Sequence, residues 1–381
     1  MKVVCDSSLC TGCGICLVKC PKKCISMEKK GNLGHLYPHI NEIDCINCGK
    51  CTLICPSINH ISSSFPLAAY AGWSKNELDY QTSSSGGAAS VLSHHIIKKN
   101  GVVYGCAMLP NLEVKHIRVD NLDELPLLKG SKYVQSNIVE VLPLIENDVN
   151  KGRLTLFIGT PCQCAAVMSL FKSIPSNLVV VDLICHGVPS FDFLNQCIEK
   201  ITKHKSYDKI SFRNGSVICM TITKDSNIVY QQSLSHPRYK DIYLNTFFDG
   251  FSYRESCYSC QYAQSERISD LTIGDFWGLG EIDSCDGMAP HSNGCSLIMP
   301  CSSKGDLLLQ EVKSSLNLYQ RRIEEAVNGN TQLRHPMIKS RRCRIFRKLI
   351  ELINFPQLYY LVMADKICKY IIKNTLNKCL K

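Results

Sequence analysis

Between residues 67 and 300 the apolar positions alternate between short continuous runs and stretches with helical spacing. Ala68 to Trp73 is a short apolar run. Ser83, Ser84, Ser85, Gly86 and Gly87 then precede a helical stretch, Ala88 to Lys99, with Val91, Leu92, Ile96 and Ile97 on its apolar face. Gly101 ends that helix, and Val102 to Met108 reads as a strand. Two further units repeat the plan. Leu154 to Ile158 is a strand, Gly159 to Gln163 a turn and Ala165 to Phe171 a helix; Leu178 to Ile184 is a strand, Cys185 to Pro189 a turn, and a helix starts at Phe191. Leu271 to Ile273 reads as one more strand. Strand-turn-helix repetition predicts a parallel or mixed sheet with helices packed on it.

The first fifty-five residues follow another pattern, set by cysteine. Cys10, Cys13, Cys16 and Cys20 precede Pro21, and Cys45, Cys48, Cys51 and Cys55 precede Pro56. Each run reads C-x2-C-x2-C-x3-C-P, the spacing of bacterial ferredoxins that bind two [4Fe-4S] clusters. Two-residue gaps let a tight loop wrap three thiolates around one cubane, and the fourth cysteine turns toward the other cluster. The expected ligand sets are therefore Cys10, Cys13, Cys16 and Cys55 for one cluster, and Cys45, Cys48, Cys51 and Cys20 for the other. Zinc also takes C-x2-C pairs, but two complete runs ending in proline favour clusters. Cys5 and Cys24 fall outside the spacing and are read as small buried residues.

Composition adds little except in two respects. With 381 residues, 45% apolar and 20% charged, the chain has the make-up of a globular protein of two or three domains. Its 24 cysteines are far above ordinary use and point to metal in a chain this long. No signal peptide or membrane span is read from the sequence, so a reducing cytoplasm is expected. The charge of +10 is concentrated: residues 341–381 carry ten Lys or Arg and two acids, or +8. The nearly neutral remainder argues against a nucleic-acid partner.

The predicted sheet makes other cysteines informative. Cys162 and Cys185 fall in turns after buried strands, and such turns gather at the carboxyl edge of a parallel sheet, where ligands bind. Cys257 and Cys260 form an isolated C-x2-C. By position alone these four are either ligands of a third cluster or core cysteines, with the C-x2-C half of a zinc site. The turn Ser83 to Gly87 is either a phosphate cradle at a helix N-terminus or an ordinary cap.

The order SSGG, GSKYVQS (Gly130 to Ser136), GTPCQCAAV (Gly159 to Val167), DLICHGVPS (Asp182 to Ser190), SFRNG (Ser211 to Gly215), SCYSCQYA (Ser256 to Ala263) and ISDLTIGDFWG (Ile268 to Gly278) resembles the coenzyme F420 hydrogenase/dehydrogenase beta-subunit family over roughly residues 67–300. The resemblance implies an FAD-binding iron–sulfur oxidoreductase that exchanges electrons with a soluble carrier (ferredoxin, NAD(P)H or F420) and a small molecule. It assigns Cys162, Cys185, Cys257 and Cys260 to a third [4Fe-4S] cluster. Ser84, Ser85, Gly86, Gly87, Ser131, Lys132, Tyr133, Thr160 and Gln163 become FAD contacts. Cys164 and Cys295 are read as packing. Among candidate catalytic groups, Lys132 either stabilises an anionic flavin or phosphate or is solvated. His186 is either a proton donor near neutral pH or a hydrogen-bonded turn residue, and Asp275 has the same two readings. A non-catalytic relay serving a partner enzyme, in surface-polysaccharide biosynthesis for instance, is the alternative function. A radical S-adenosylmethionine enzyme is set aside because no C-x3-C-x2-C run occurs.

The expected organisation is α+β/α/β. A two-cluster ferredoxin module spans 1–62, and a mixed α/β flavin-binding domain follows in two parts, 67–150 and 151–340. A basic helical tail occupies 341–381. In the tail Arg341, Arg342, Arg344, Arg347 and Lys348 cluster before Leu349, Ile350, Leu352, Ile353 and Phe355. A second helix from Leu358 mixes Tyr359, Tyr360, Leu361, Ile367, Tyr370 and Ile371 with Lys366, Lys369, Lys373 and Lys378. Such a tail either rests on an anionic surface, such as the inner membrane, or packs on the body.

Overall fold

The strand-turn-helix units form the centre of an eight-stranded mixed sheet in the computed structural model. All residues are described except Met1, Asn111, 235–240, Asn354, Pro356, Leu380 and Lys381. The side chains of Tyr370, Ile371, Lys373 and Lys378, named above for the tail, also lie outside the described residues. In chain order the strands are β1 (Ile25–Lys30), β2 (His35–Ile40), β3 (Ala69–Ser74), β4 (Val102–Met108), β5 (Val114–Val119), β6 (Thr155–Gly159), β7 (Leu178–Leu183), β8 (Lys209–Asn214), β9 (Val217–Lys224), β10 (Asn227–Ser233), β11 (Leu271–Asp275), β12 (Ser296–Pro300) and β13 (Leu316–Arg321).

The large sheet has the order β13-β3-β12-β11-β7-β6-β4-β5. Its β11, β7, β6 and β4 are mutually parallel, so their C-terminal ends share one edge. Antiparallel strands flank this centre on both sides. The central strands are buried continuous runs such as Val179, Val180 and Val181, as expected where helices cover both faces. Strands β8 to β10 form a separate antiparallel sheet, with Phe212, Met220 and Ile222 buried beneath it.

One expected turn is instead the start of a helix. Pro161–Met168 is helical from Pro161, so Cys162 sits in its first turn rather than in a loop. Proline at the first helical position and a Thr160/Gln163 capping box explain this: Gln163 Oε1 accepts from Thr160 N at 3.1 Å. The tail also resolves. In helix Arg341–Leu349, Cys343 and Phe346 are buried with Phe355, Leu358 and Tyr359 in one cluster on the body. Arg347 pairs with Glu255 and Arg342 with Asp365, leaving Arg341 and Arg344 exposed. Among the described residues, no helix is long and apolar enough to cross a membrane.

The N-terminal module is clamped onto the body, and the segment that follows it is held too, since Ser64 bridges Arg267. Lys19 pairs with Glu146 at 2.6 Å, and Gln135 Nε2 donates to Thr11 O at 2.9 Å. Gln261 Nε2 donates to Pro56 O at 3.0 Å. The turn between β1 and β2 is gripped by the tail: Asn32 N donates to Glu351 Oε1 at 2.8 Å and Asn32 Nδ2 to Ile350 O at 2.9 Å.

His35, on β2, donates from Nε2 to Ser252 O at 3.2 Å. Burial, and next the Arg254 charge, push its pKa down to about 3. The folded state therefore holds it neutral, and the unfolded state takes up a proton below its ordinary pKa of 6.5. Stability is full above that value and falls as pH drops toward the folded pKa, by about 2 kcal/mol between about pH 7 and pH 5 from this group. His35→Gln is expected to flatten the decline by that amount, read from urea midpoints at the two pH values; an unchanged pH dependence would refute the assignment.

Candidate metal and cofactor sites

Two chambers lie inside the module. One is lined by Cys10, Cys13, Cys16 and Cys55, the other by Cys20, Cys45, Cys48 and Cys51. The crossed sets expected from the spacing are thus the sets brought together in space. Cys5 and Cys24 depart from expectation: both are only half-buried, and each borders a chamber. Cys24 Sγ lies 3.5 Å from Cys20 Sγ. Their spacing gave no sign of this, because the contacts come from how the loops close. The second chamber is the outer one: Asn41 to Asp44 and Ile46 to Lys50 are exposed around it, Cys48 included.

A third chamber is lined by Cys162, Cys185, Cys257 and Cys260. Cys162 comes from the helix after β6, Cys185 from the turn after β7, and the C-x2-C from the short helix Glu255–Ser259 and its cap. Asp182 on β7 and Arg267 hold this region to the sheet through a buried ion pair of 2.9 Å. Arg267 Nη1 also donates to Tyr262 O at 2.8 Å, just beyond Cys260.

Burial raises all four thiols, Cys257 to about 12 and Cys260 to about 11. As free side chains they stay protonated; a bound cationic core is what would hold them as thiolates. Among the described residues, no three His, Cys, Asp or Glu side chains converge as ligands of a single ion. Four thiols lining one chamber are the donor type that iron–sulfur clusters take. The buried Tyr262 hydroxyl at this chamber has no hydrogen-bond partner. Thr11 and Ser57 of the module border both this chamber and the Cys10 chamber.

Beyond it, at the carboxyl edge of the parallel strands, opens a cavity of about 650 Å³, within the range of small-molecule and cofactor sites. Ser84, Ser85, Gly87, Ser131, Lys132, Tyr133, Thr160, Gln163, His186 and Asp275 line it. Gly86 does not. It packs against β3 and β12, where an added Cβ would stand 2.2 Å from Gly72 O. Cys164 and Cys295 are buried.

The lining is tightly hydrogen-bonded. Ser131 N donates to Ser84 Oγ at 2.9 Å. Lys132 Nζ spends its donors on the carbonyls of Cys106, Leu128 and Lys129 at 2.8–3.0 Å, so it ties the cavity wall together instead of being solvated. His186 Nδ1 accepts from Gln332 Nε2 at 2.8 Å, and burial lowers its pKa. Asp275 is ion-paired with Arg213, whose Nε donates to Tyr133 OH at 2.6 Å. Arg213, Gln332 and Arg254 were not singled out from sequence. Only Arg213 carried a signal, through its place in SFRNG.

Cys162 and Cys185 line both the third chamber and the large cavity. The thiol sets and the cavity therefore stand in series: outer module chamber, inner module chamber, third chamber, cavity.

Residues 152–326 match the family model that describes the C terminus of the coenzyme F420 hydrogenase/dehydrogenase beta subunit, and residues 9–59 match the 4Fe-4S dicluster domain. Over residues 152–326 the chain carries the C-terminal domain of the coenzyme F420 hydrogenase/dehydrogenase beta-subunit family. This beta-subunit relative has its own iron–sulfur module at the N-terminus, and it is an oxidoreductase-type electron-transfer subunit. Its module is 38% identical over 53 residues to ketoisovalerate oxidoreductase subunit VorC of Methanothermobacter marburgensis. The match covers 14% of this chain and 67% of that protein. The structure is also similar to a chain of the F420-reducing [NiFe] hydrogenase complex from Methanosarcina barkeri. That alignment has TM-score 0.47 and 15% identity, over 71% of this chain and 91% of the other.

Proposed function

We propose that the chain is an iron–sulfur flavoprotein oxidoreductase with three [4Fe-4S] clusters and one FAD, acting on a small molecule or soluble carrier in a reducing compartment. One observation carries this reading: Cys162 and Cys185 form the wall shared by the third thiol chamber and the large cavity. The ligand sets would be the three groups of four cysteines described above. FAD would occupy the cavity, with the hydroxyls of Ser84, Ser85 and Ser131 and the helix N-terminus at Gly87 near its phosphates. Bound there, FAD would supply the exchange between two-electron chemistry and single electrons.

This chain's own residues shape that cavity. The Arg213–Asp275 pair fixes Tyr133 against it, and Gln332 sets the His186 ring by donating to Nδ1, so that Nε2 carries the proton of the neutral imidazole. The relative of the module is itself described as one subunit of a larger oxidoreductase. A protein partner or electron carrier is therefore part of the proposal, docking at the outer chamber. There Cys48 is exposed beside Ile43 (94% exposed), Ile46 and Leu53 (72%).

Anaerobic purification with iron, sulfide and flavin measured per chain tests the reading. About twelve irons with one flavin are expected, and about eight irons without flavin would refute both the third cluster and FAD. Reduction trials with F420H2, NADH, NADPH and reduced ferredoxin then identify the carrier. Turnover of a small molecule by the isolated protein would separate an enzyme from a relay.

A further inference from the structure

Among the described residues, arginines whose side chains are buried come with a carboxylate, with one exception. Arg267 pairs with Asp182 at 2.9 Å, Arg321 with Glu325 at 2.7 Å, and Arg213 with Asp275. Arg254 is 1% exposed, yet no carboxylate lies within 4.0 Å of it among the described residues. Its guanidinium donates to Cys10 O at 3.1 Å, to Gln135 Oε1 at 3.2 Å and to Leu36 O, and sits 4.5 Å from the Tyr37 ring centre. All of these partners are neutral. A charge taken out of water with no counter-charge is strongly unfavourable, so the balancing negative charge has to come from something beside it.

The neighbours are the two inner thiol chambers. Arg254 lines the third chamber with its four cysteines, and the carbonyl it grips belongs to Cys10 of the inner module chamber. The module loop is shaped around this guanidinium. Gly12 has φ +69°, and a Cβ there would fall 2.4 Å from Arg254 Nη2. Four thiolates on an iron–sulfur cubane make a net anion in either oxidation state, one unit more negative after reduction.

We propose that Arg254 is the shared counter-cation of the clusters in these two chambers, raising the reduction potential of both across the boundary between module and body. The inference rests on the cluster assignments of the proposed function. Its step is the gain of one electron with no bond made or broken, and the fixed cation favours the reduced, more negative form. Arg254 is a positioning residue in this sense, acting on the potential rather than on substrate.

Potentiometric titration of the anaerobic full-length protein, followed by visible bleaching and EPR, reads this directly. Arg254→Gln is expected to keep the wild-type iron content. At the potential where the adjacent wild-type clusters are half reduced, its reduced-to-oxidised ratio should be at least about ten-fold lower, or about 59 mV for a one-electron couple. The outer cluster, at Cys20, Cys45, Cys48 and Cys51, should not move, and Arg254→Lys should recover most of the shift. Full iron with unmoved midpoints would overturn the role of Arg254.

If Arg254→Gln loads too little iron to titrate, Arg254→Lys decides the matter. Wild-type midpoints support the proposal, and a fall as large as the one above overturns it. About eight irons in the wild-type chain would instead overturn the third site, and the sharing with it.

Discussion

Replacing Cys185 by serine is expected to lower the iron content from about twelve to about eight atoms per chain. Cys185 is one of four thiols from three separate segments that meet at the third chamber, and it also forms part of the cavity wall. Serine keeps the shape of that wall, so one flavin per chain should remain. Activity that depends on electrons arriving through the module should fall by more than about 100-fold, beyond the 10–100-fold typical of changes around a metal's ligands rather than in them. Iron, flavin and EPR measured on one preparation check this. A variant retaining twelve irons would show that Cys185 only packs the turn after β7.

Asp182→Asn should cost about 3–5 kcal/mol, because it strips the counter-charge from a fully buried guanidinium. Asp182 and Arg267 are almost wholly inaccessible, and the arginine's other bonds reach Thr272 Oγ1 and the carbonyls of Tyr262 and Gln264. Losing the pair would loosen the strand–strand seam between β7 and β11 and the segment that carries Cys260. The double variant Asp182→Asn/Arg267→Met should regain much of the loss, since replacing the arginine by an apolar side chain removes the unpaired charge. Urea unfolding of the single and double variants measures both terms. Equal losses in the two would mean that packing, rather than charge, holds this seam.

What sequence made legible followed from locality. Leu178 to Leu183 and the residues after it read as strand and turn because each is a contiguous run of one character, and the thiol sets of the module read from spacings within fifty residues. The boundary at Pro161 was missed because a proline after a strand looks like a turn until its capping partners are considered. Strands β8 to β10 mix polar and apolar residues, and their longest apolar run, Val217 to Met220, is only four residues and too short to mark three strands. Arg254 and Gln332 act through partners far away in the chain, and no local pattern encodes that a guanidinium will lie beside Cys10 O or an amide beside His186. The basic tail was ambiguous for the same reason: Phe346 and Tyr359 are apolar on any reading, and only the cluster they join decides where that face goes.

The grip of Glu351 on the turn at Asn32 has a consequence for biogenesis. Synthesis proceeds from the N-terminus, so the eight cysteines of the module's two thiol sets leave the ribosome long before Glu351 exists. Delivery of iron and sulfide to them has an interval in which the hairpin is still unclasped. The third set is complete only when Cys260 has emerged, and the inner module loop at Thr11 then roofs the same chamber. The order of synthesis therefore exposes the module's thiols first and completes the third set later, and the clasp of Glu351 on the turn at Asn32 closes last.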